Sequence, residues 1–591
     1  MKYNLDEVRE LARAYALINA VEHGGRAAVG PVMGKIMAEK PELRPHAREI
    51  VAIVREVVAE VNKFSLDEQK RLLEENYNWV LEKLSKPKEQ EKTLPPLPGA
   101  EEGKVVTRFA PNPDFVIHLG NARPAILSYE YKVIYKGKMI LRFEDTDPRT
   151  KTPLPEAYEL IKQDLEWLGI RWDEEYIQSL RMPIYYQIIK ELLEKGHAYV
   201  DDKPGEEFRK YRNSSKLSEY PPRLRTAEEN LELWDQMLEG RFAEGEAVVR
   251  IKTDPNHPDP SVRDWVAFRI IDTSRYPHPL VGDRYIVWPT YNFAAGVDDW
   301  LMGVTHILRA KEHMQNTIKQ KYVYEYMGWK YPHVVHFGRL KLEGFIMSKS
   351  ALKQLLDQGV GSGIDDPRFA TIAGLRRRGI TAEAIRKLIL DVGVKYTDAS
   401  ISYANLAATN RVIVDTTARR IMAAIPPTPM IIENLPWGKR DFEIPYHPSG
   451  KLGSRRISLE GPTATVYISQ SDKKLLKKGS IVRLMEAFNV EIVDIEENKI
   501  RARFHSFGLE NARKHRAPII QWIPGNASLQ IELLVPEGLD LIQRRGIVEQ
   551  AAAELKQGDM VQLVRIGFAR VDALETEDGS VRKVIMVFAH E

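Results

Sequence analysis

Residues 104–121, KVVTRFAPNPDFVIHLGN, join a short strand pattern to a polar turn that opens a helix. Lys104 to Phe109 predict a strand, and a helical pattern begins after His118. A second strand pattern at Lys138 to Phe143 is followed by a helical pattern near Glu156 to Leu168. Strands that alternate with helices favour a parallel sheet with helices on its faces. This stretch therefore predicts an α/β domain.

His118 to Asn121 lie where open parallel sheets bind ligands, just beyond the end of a strand. The backbone N–H groups at the start of the helix can face phosphate, and Gly120 lets a base or ribose approach the backbone. His118 and Asn121 can both donate hydrogen bonds to phosphate oxygens. Helix capping by the same two residues is the ordinary alternative for so short a motif.

A second motif, Met347-Ser348-Lys349-Ser350, lies in the segment from Gly344 to Gln354. Lys349 can supply a mobile charge that follows the β- and γ-phosphates of ATP as pyrophosphate leaves. An ordinary surface lysine is the alternative for this residue alone. Because the two motifs lie on opposite sides of the α/β pattern, together they predict a site that holds ATP at both ends.

The composition bounds the class of protein. A length of 591 residues exceeds what one core organises, and 43% hydrophobic with 29% charged residues is typical of globular proteins. The absence of cysteine excludes disulfides and thiolate metal sites. With a net charge of only +3, any nucleic-acid contact must use local basic patches. No segment is long and apolar enough to span a bilayer, and Met1 to Ala20 lack a secretory signal. We therefore expect a cytoplasmic location and no membrane partner.

Changes of pattern divide the chain into segments. The first 85 residues have helical spacing, and Ser65-Leu66-Asp67-Glu68 has the spacing of a capping box. The next residues are rich in Pro, Lys and Glu and predict an exposed linker. We predict a helical domain at 1–85, a linker at 86–102, the first half of the α/β domain at 103–178, an insertion at 179–287, the second half at 288–355, a helical bundle at 356–422 and a β-rich region with barrels at 423–591.

Several long segments carry a resemblance to a known family. They are RFAPNPDFVIHLGNARPAIL, MILRFEDTDPRT, WPTYNFAAGVDDWLMGVTHILRAKEH, HFGRLKLEGFIMSKS and DDPRFATIAGLRRRGI. The chain resembles the glutamyl- and glutaminyl-tRNA synthetase group over essentially its whole length, and most of all the archaeal glutamyl-tRNA synthetases. This resemblance implies a class I synthetase with a Rossmann-like catalytic domain, a connective insertion that binds the acceptor end of tRNA, and C-terminal β-barrel anticodon-binding domains.

Two residues depart from the motifs of the group. Asn121 stands where many members have a second histidine, and Ile346 stands where the lysine-containing loop often begins with lysine. Asn121 keeps a hydrogen-bond donor, so we expect activity to survive. Ile346 leaves the role of that leading cation open.

The resemblance implies a two-step reaction. The substrate carboxylate attacks the α-phosphate of Mg-ATP to give an aminoacyl-adenylate, and a ribose hydroxyl of the terminal tRNA adenosine then takes the acyl group. His118, Asn121 and Lys349 would stabilise charge on the reacting phosphate, and the backbone of Arg339 and Leu340 would hold adenine. The expected ATP-binding residues are Asn112, Pro113, His118, Gly120, Asn121, Arg339, Leu340, Met347, Ser348 and Lys349.

A glutamate pocket must match two carboxylates and an ammonium group, and Arg108, Glu144, Tyr291 and Arg309 supply that set. By resemblance, Arg108 faces the substrate carboxylate, Glu144 faces the ammonium group, and Tyr291 forms a hydrogen bond nearby. Arg309 stands where glutaminyl enzymes have a small uncharged residue, and its guanidinium can bind a carboxylate bidentately. Glutamate is therefore preferred to glutamine. The alternatives are a salt bridge from Arg309 to Glu312 or Asp299 and a core position for Tyr291.

Basic residues mark a possible nucleic-acid surface, with tRNA(Glu) as the expected partner and tRNA(Gln) as an open question. Phe504, Phe507 and Trp522 lie among them and could stack on bases. A solvated charged face is the alternative. The candidate tRNA contacts are Arg376, Arg377, Arg378, Arg501, Arg503, Arg513 and Arg516.

The insertion lacks a zinc-binding pattern. Residues 211–225 have Asn, Ser, Pro and Arg where many relatives have zinc-binding cysteines, so we expect no structural zinc. The N-terminal helices could dock a partner protein. The competing functions are a glutaminyl-tRNA synthetase, which Arg309 disfavours, a nucleotidyltransferase with the same phosphate motif, and a non-catalytic tRNA-binding protein.

Overall fold

The computed structural model describes residues 5–22, 24–77 and 94–591, which fall into two compact units divided between Thr93 and Leu94. The first unit is helical. Ser65 caps its last described helix, because its Oγ accepts the N–H of Glu68 at 3.3 Å while the Glu68 carboxylate accepts the N–H of Ser65 at 2.8 Å. The predicted capping box is confirmed. The helices are α1 (Leu5–Glu22), α2 (Val29–Glu39), a 3-10 turn (Pro41–His46), α3 (Ala47–Val61) and α4 (Leu66–Asn76).

Part of the predicted linker belongs to the core of the second unit. Residues 86–93 lie outside the described residues, but Leu97 is buried. Its N–H donates to the hydroxyl of Tyr135 at 3.0 Å, and Tyr131 donates to the carbonyl of Pro95 at 2.8 Å. Residues 94–102 are mostly exposed, as predicted, but Leu97 anchors them to the core between flanking prolines.

The second unit begins with a three-stranded parallel sheet. Its strands are joined by helices that cover the sheet, as the α/β pattern predicted, and Arg108 lies opposite Ile140 in the register of the first two strands. The elements are β1 (Val106–Phe109), α5 (Leu119–Ile134), β2 (Lys138–Phe143), α6 (Pro155–Trp167) and β3 (Glu174–Ile177).

The insertion forms an antiparallel sheet of its own. Two large aromatic side chains, Trp234 and Trp288, are buried against it. The elements are a 3-10 turn (Gln178–Arg181), α7 (Met182–Glu194), β4 (Ala198–Asp201), α8 (Gly205–Arg212), 3-10 turns (Leu217–Glu219 and Pro221–Leu224), α9 (Ala227–Leu238), β5 (Val248–Ile251), β6 (Val266–Ile270) and β7 (Val287–Pro289), and the strand order is β4-β5-β6-β7.

The second half of the α/β domain joins the first beside β1. The elements are α10 (Tyr291–Leu301), β8 (His306–Ala310), a 3-10 turn (Lys311–His313), α11 (Met314–Met327), β9 (His333–Phe337), β10 (Leu340–Leu342) and α12 (Lys349–Asp357). The N–H of Thr305, just before β8, donates to the carbonyl of Val106 at 3.0 Å, and the Thr305 Oγ accepts the N–H of Val106 at 2.8 Å. β8 also pairs with β9 in parallel. The two halves of the sheet therefore extend in opposite directions from the junction between β1 and β8.

The segment after α12 is less helical than expected. It holds α13 (Ile372–Arg377), α14 (Ala382–Val392), β11 (Ala399–Ile401) and α15 (Tyr403–Val414). β11 pairs in parallel with β10, which corrects the purely helical bundle predicted at 356–422. A three-residue strand whose partner lies about sixty residues away leaves almost no local pattern. α13 is tied to the start of α5, because the N–H of Leu119 donates to the carbonyl of Ala370 at 3.0 Å.

The C-terminal region consists of two seven-stranded sheets and a hairpin, in agreement with the β-barrels predicted there. β12 lies before the predicted boundary at 423 but pairs with β25. The elements are β12 (Arg419–Ile421), β13 (Ala423–Ala424), β14 (Pro427–Glu433), β15 (Lys439–Pro445), β16 (Ser454–Glu460), β17 (Ala464–Ser469), α16 (Gln470–Lys473), β18 (Ile481–Leu484), β19 (Asn489–Ile495), β20 (Ile500–Ser506), α17 (Leu509–Lys514), β21 (Ile519–Ile520), β22 (Ile523–Pro524), β23 (Ser528–Glu537), β24 (Asp540–Glu549), a 3-10 turn (Gln550–Glu554), β25 (Met560–Leu563), β26 (Gly567–Glu577) and β27 (Ser580–His590).

The two sheets have separate cores. The proximal sheet has the order β21-β18-β19-β20-β14-β17-β22, and the distal sheet has the order β12-β25-β26-β27-β23-β24-β13. Trp522 is fully buried in the proximal core, so it cannot stack on RNA bases as proposed from the sequence, whereas the Phe507 side chain is 41% exposed. In the described part of the chain, no helix combines the length and apolarity that a membrane crossing requires.

Truncating Trp522 tests this placement. Trp522→Ala is expected to lower the free energy of unfolding by about 3–5 kcal/mol, because it removes a large buried side chain and leaves a cavity. Phe507→Ala, the exposed control, should cost much less. Denaturant titrations of both variants provide the measurement, and equal stabilities would contradict the placement of Trp522.

Candidate active site

A cleft of about 1000 Å³ opens beyond the carboxyl ends of β1 and β8, where the strand order reverses. Most residues predicted from the sequence for ATP and glutamate line it. Pro113 does not, since it is buried and its carbonyl accepts the N–H of Leu154 at 2.9 Å. The predicted residues that line the cleft are Arg108, Asn112, His118, Gly120, Asn121, Glu144, Tyr291, Arg309, Arg339, Leu340, Met347, Ser348 and Lys349.

His118 and Asn121 cap α5, as the ordinary alternative expected, yet each keeps a free donor. The Nδ1 of His118 accepts the N–H of Gly120 at 3.0 Å, and the Asn121 Oδ1 accepts the N–H of His118 at 3.4 Å. Burial, aided by the charge of Lys349, lowers the pKa of His118 to about 4. His118 is therefore neutral near pH 7 with its proton on Nε2, and the Asn121 amide nitrogen is free to donate.

Gly120 has a more specific role than predicted. A Cβ at this position would lie 2.9 Å from the His118 Cε1 and 3.3 Å from the Met347 Cε. The missing side chain therefore makes room for the imidazole and for the second motif, and Gly120 also lines the cleft. This contact places the two sequence motifs side by side.

Lys349 starts α12 and reaches toward the turn after β1. Its Nζ lies 2.7 Å from the Asp114 Oδ1 and 3.4 Å from the carbonyl of Asn112. Ile346 packs with a small apolar cluster that includes Phe115. At the position where relatives often carry a cation, this chain thus anchors its lysine loop by apolar contact.

The backbone expected to hold adenine is partly occupied. The N–H of Arg339 donates to Asp398 at 2.8 Å, and its carbonyl accepts the N–H of Ala399 at 2.8 Å. In a parallel ladder the neighbouring residue points its N–H and carbonyl the other way. The backbone N–H and carbonyl of Leu340 therefore point away from β11, whereas those of Arg339 are already hydrogen-bonded. The Arg339 side chain instead pairs with Glu312.

A buried charge network lies at the floor of the cleft. The Asp299 Oδ1 accepts from the Arg108 Nε at 3.1 Å and from the Arg142 Nη1 at 2.8 Å, and the Arg142 Nη2 donates to Glu144 at 2.9 Å. Although burial opposes it, the two arginines hold the pKa of Asp299 below its usual range. Burial raises the pKa of Glu144 against the pull of the same arginines. The sequence pattern gave no sign of Arg142, because a strand arginine that faces the core resembles one that faces solvent.

Arg309 is buried but has only neutral partners among the described residues. Its guanidinium donates to Gln320 at 3.2 Å, to the hydroxyl of Tyr331 at 3.1 Å and to the hydroxyl of Thr317. The Nε is buried and has no partner. The salt bridge to Glu312 or Asp299 that the sequence left open is not formed. A buried cation without a carboxylate is costly unless a bound anion compensates it.

Tyr291 begins α10 and faces the same part of the cleft. Its ring packs against His313 with centroids 5.6 Å apart, and no described residue forms a hydrogen bond with its hydroxyl. Burial and the nearby Glu144 raise the pKa of Tyr291. Burial, with the charges of Arg309 and Arg108, lowers the pKa of His313 to about 4. A neutral His313, which sequence reasoning missed, thus completes this wall of the cleft.

The predicted tRNA contacts divide into free and occupied residues. Arg378 is buried, and its guanidinium lies 4.2 Å from the centre of the Tyr403 ring. This contradicts its prediction as a tRNA contact. Arg513 and Arg516 are exposed and form no ion pair with any described residue. The remaining four form ion pairs: Arg376 with Asp164, Arg377 with Asp572, Arg501 with Glu433 and Arg503 with Glu491.

Comparison with known proteins decides the family. A model described as the catalytic domain of class I tRNA synthetases (E and Q) matches residues 104–415, and two anti-codon binding domain models of the same family match residues 418–506 and 519–572. The chain belongs to the glutamyl and glutaminyl family of class I tRNA synthetases. Within this family the synthetase is of the archaeal glutamyl type, as its motifs predicted.

Individual relatives agree with the family model. A glutamate–tRNA ligase from Hyperthermus butylicus is 71% identical over 97% of this chain and 100% of its own length. One from Ignicoccus hospitalis is 52% identical over 99% of this chain and 100% of its own. A crystal structure of a glutamate tRNA ligase from Elizabethkingia meningosepticum in complex with its amino acid covers 53% of this chain and 70% of its own, at 24% identity and a TM-score of 0.39. The family model and the two archaeal relatives do not favour a glutaminyl enzyme or a nucleotidyltransferase.

The synthetase has few groups suited to a structural metal. It lacks cysteine, and within residues 5–22, 24–77 and 94–591 no three His, Asp or Glu residues cluster as metal ligands would. The absence of structural zinc stays a prediction.

The pKa of His118 has a consequence for stability. Since the unfolded chain binds a proton near pH 6.5 and the folded site binds it only near pH 4, stability should fall as the pH falls between these values. His118→Gln should remove about 1.4 kcal/mol per pH unit from this slope. Denaturant titrations between pH 6.5 and 4.5 measure it, and equal slopes for wild type and variant would contradict a neutral His118.

Proposed function

We propose that this synthetase activates L-glutamate with ATP to form glutamyl-adenylate and transfers the glutamyl group to the 3′-terminal adenosine of tRNA(Glu). The observation that carries the choice of amino acid is the buried Arg309 without a carboxylate partner. The floor of the cleft holds the guanidinium groups of Arg108, Arg142 and Arg309 against the carboxylates of Asp299 and Glu144. This excess of one positive charge matches glutamate, which carries one net negative charge, and not glutamine, which carries none.

In this proposal each group of the amino-acid pocket has a role. Arg309 and Arg108 bind carboxylate, Glu144 binds the ammonium group, and the free hydroxyl of Tyr291 forms a hydrogen bond beside them. The amide of glutamine would leave a buried guanidinium partly unpaired. Such a loss costs about 2–5 kcal/mol, which corresponds to roughly 30- to 3000-fold discrimination.

The phosphates of ATP lie between the two motifs in this proposal. His118 Nε2–H and the Asn121 amide donate from one side, and Lys349 leaves Asp114 to follow the phosphates from the other. These groups stabilise charge on the reacting phosphate and need no protein nucleophile. Leu340 offers its backbone to adenine, while Asn112, Met347 and Ser348 border the nucleotide.

Mg²⁺ fits this site as a companion of ATP. The wall around His118, Asn121 and Lys349 consists of hydrogen-bond donors, with Asp114 as its nearby carboxylate. Mg²⁺ typically binds through one or two carboxylates together with phosphates and water. We therefore assign Mg²⁺ to the ATP phosphates and not to a dedicated protein cage.

The C-terminal region supports a tRNA partner. The anti-codon binding models cover the two C-terminal sheets, and Arg513 and Arg516 are exposed cations there. Arg376, Arg377, Arg501 and Arg503 would have to exchange an ion pair for a phosphate. We include tRNA(Gln) as a second acceptor, and the N-terminal helices as a docking surface for a partner protein.

Charging assays test the function directly. Purified tRNA(Glu) and tRNA(Gln) are each incubated with ATP, Mg²⁺ and either glutamate or glutamine. The expected result is attachment of glutamate to tRNA(Glu) and, as the second acceptor, to tRNA(Gln); glutamate on tRNA(Glu) alone would overturn the second acceptor only. Attachment of glutamine, or no attachment with any pair, would overturn the proposal.

Gln320→Glu tests the neutral partners of Arg309. The new carboxylate would pair with the guanidinium and compete with substrate, so the KM for glutamate in ATP–pyrophosphate exchange with tRNA present should rise about 10- to 100-fold, with an unchanged or higher melting temperature. Gln320→Met is the matched control, because it removes the hydrogen bond without adding charge and should raise the KM far less. A wild-type KM for Gln320→Glu would contradict the role of Arg309.

A further inference from the structure

A second cavity, of about 320 Å³, lies where the end of α13 meets the distal sheet, away from the active-site cleft. Its wall is mostly polar. Arg376 and Arg377 contribute from α13, and Arg570 and Asp572 contribute from β26. The sequence singled out the first two arginines but gave no reason to consider Arg570, which lies within an alternating strand.

The cavity is lined by three arginines and by two carboxylates, Asp365 and Asp572. Both carboxylates pair with Arg377, which donates to Asp572 at 2.9 and 2.8 Å and lies 3.5 Å from Asp365. Arg376 lies 3.6 Å from Asp164. Arg570 is half-buried, and its guanidinium has neither a hydrogen bond nor an ion pair in the part of the chain that the structure describes. Burial lowers its pKa, and the charges of Arg376 and Arg377 add to this effect against Asp572.

We propose that this cavity binds one phosphate group of the tRNA backbone, with Arg570 as its principal ligand and Arg376 beside it. The inference rests on the proposed function, since it needs a tRNA substrate. A guanidinium presents paired N–H donors that match phosphate geometry. A backbone phosphate also carries one negative charge, which would neutralise the unpaired Arg570. Contacts of this kind position a nucleic acid without reading its bases. A purely structural role explains the Arg377–Asp572 pair but leaves Arg570 unexplained.

The salt dependence of tRNA binding tests the assignment in the full-length chain. Each phosphate contact contributes about 0.7–0.9 to the slope of log affinity against log salt. Arg570→Gln should reduce that slope by about this amount and weaken binding of tRNA(Glu) about tenfold at fixed salt. Arg582→Gln is the matched control, because it removes the same charge from an exposed position paired with Glu577 on the same sheet. Its slope should equal that of the wild type.

A conservative variant and a second probe separate the outcomes. Arg570→Lys keeps the charge but loses the paired donors, so its slope should stay near the wild-type value while its affinity falls several-fold. Wild-type slope and affinity in Arg570→Gln would overturn the assignment, whereas a wild-type chain that binds no tRNA would overturn the proposed function. Inorganic phosphate, compared with sodium chloride at equal ionic strength, tests a free anion. Inorganic phosphate could raise the melting temperature of wild type but not of Arg570→Gln, while the two proteins show the same salt dependence of tRNA binding. In that case the cavity binds free phosphate, and the tRNA assignment is wrong.

Discussion

The active site depends on one backbone junction, the pair of hydrogen bonds between Thr305 and Val106 that places β8 beside β1. These residues are about two hundred positions apart, and the whole insertion lies between them. The junction creates the reversal of strand order, and the reversal leaves a gap beyond the two strand ends. Arg108 lies near the end of β1, and Arg309 lies near the end of β8. Without this pairing the two arginines would not line the same cleft.

The buried arginines are stabilised in different ways, and the difference bears on function. Arg108 and Arg142 share Asp299, and Arg142 also pairs with Glu144, so their charge is compensated within the protein. Arg309 is held by hydroxyl and amide oxygens, which fix its orientation without neutralising it. A neutral environment keeps the guanidinium available to a substrate carboxylate. Burial lowers the pKa of Arg309, but Tyr291, Tyr331 and Asp299 outweigh burial and raise it, so the guanidinium stays charged.

Much of the fold and part of the site could be predicted from local sequence. The strand–turn–helix around His118 and the loop of Lys349 are short motifs whose residues lie close together in the chain. Gln320 and Tyr331 could not be recognised, because they meet Arg309 only after α11 packs against the sheet. Arg378 was misjudged because three consecutive arginines form a basic run in sequence, whereas successive helical residues point about 100° apart. One of the three therefore turns inward, onto Tyr403.

The contacts of individual residues also determine their roles. Capping by His118 and Asn121 was set against phosphate binding, yet the structure shows that capping fixes the imidazole tautomer and leaves donors free. Leu97 could not be recognised as a buried residue because prolines surround it. β11 could not be recognised as a strand because it is only three residues long. For Leu97 and β11 the missing information was a long-range contact, which composition and periodicity do not encode.

The most direct test of the central claim is a crystal structure of the synthetase with a non-hydrolysable glutamyl-adenylate analogue. The account predicts that the side-chain carboxylate accepts hydrogen bonds from the Arg309 guanidinium, while Gln320 and Tyr331 keep their present contacts with it. A carboxylate bound elsewhere in the cleft, with Arg309 still contacting only neutral protein groups, would contradict the claim that this buried cation selects glutamate.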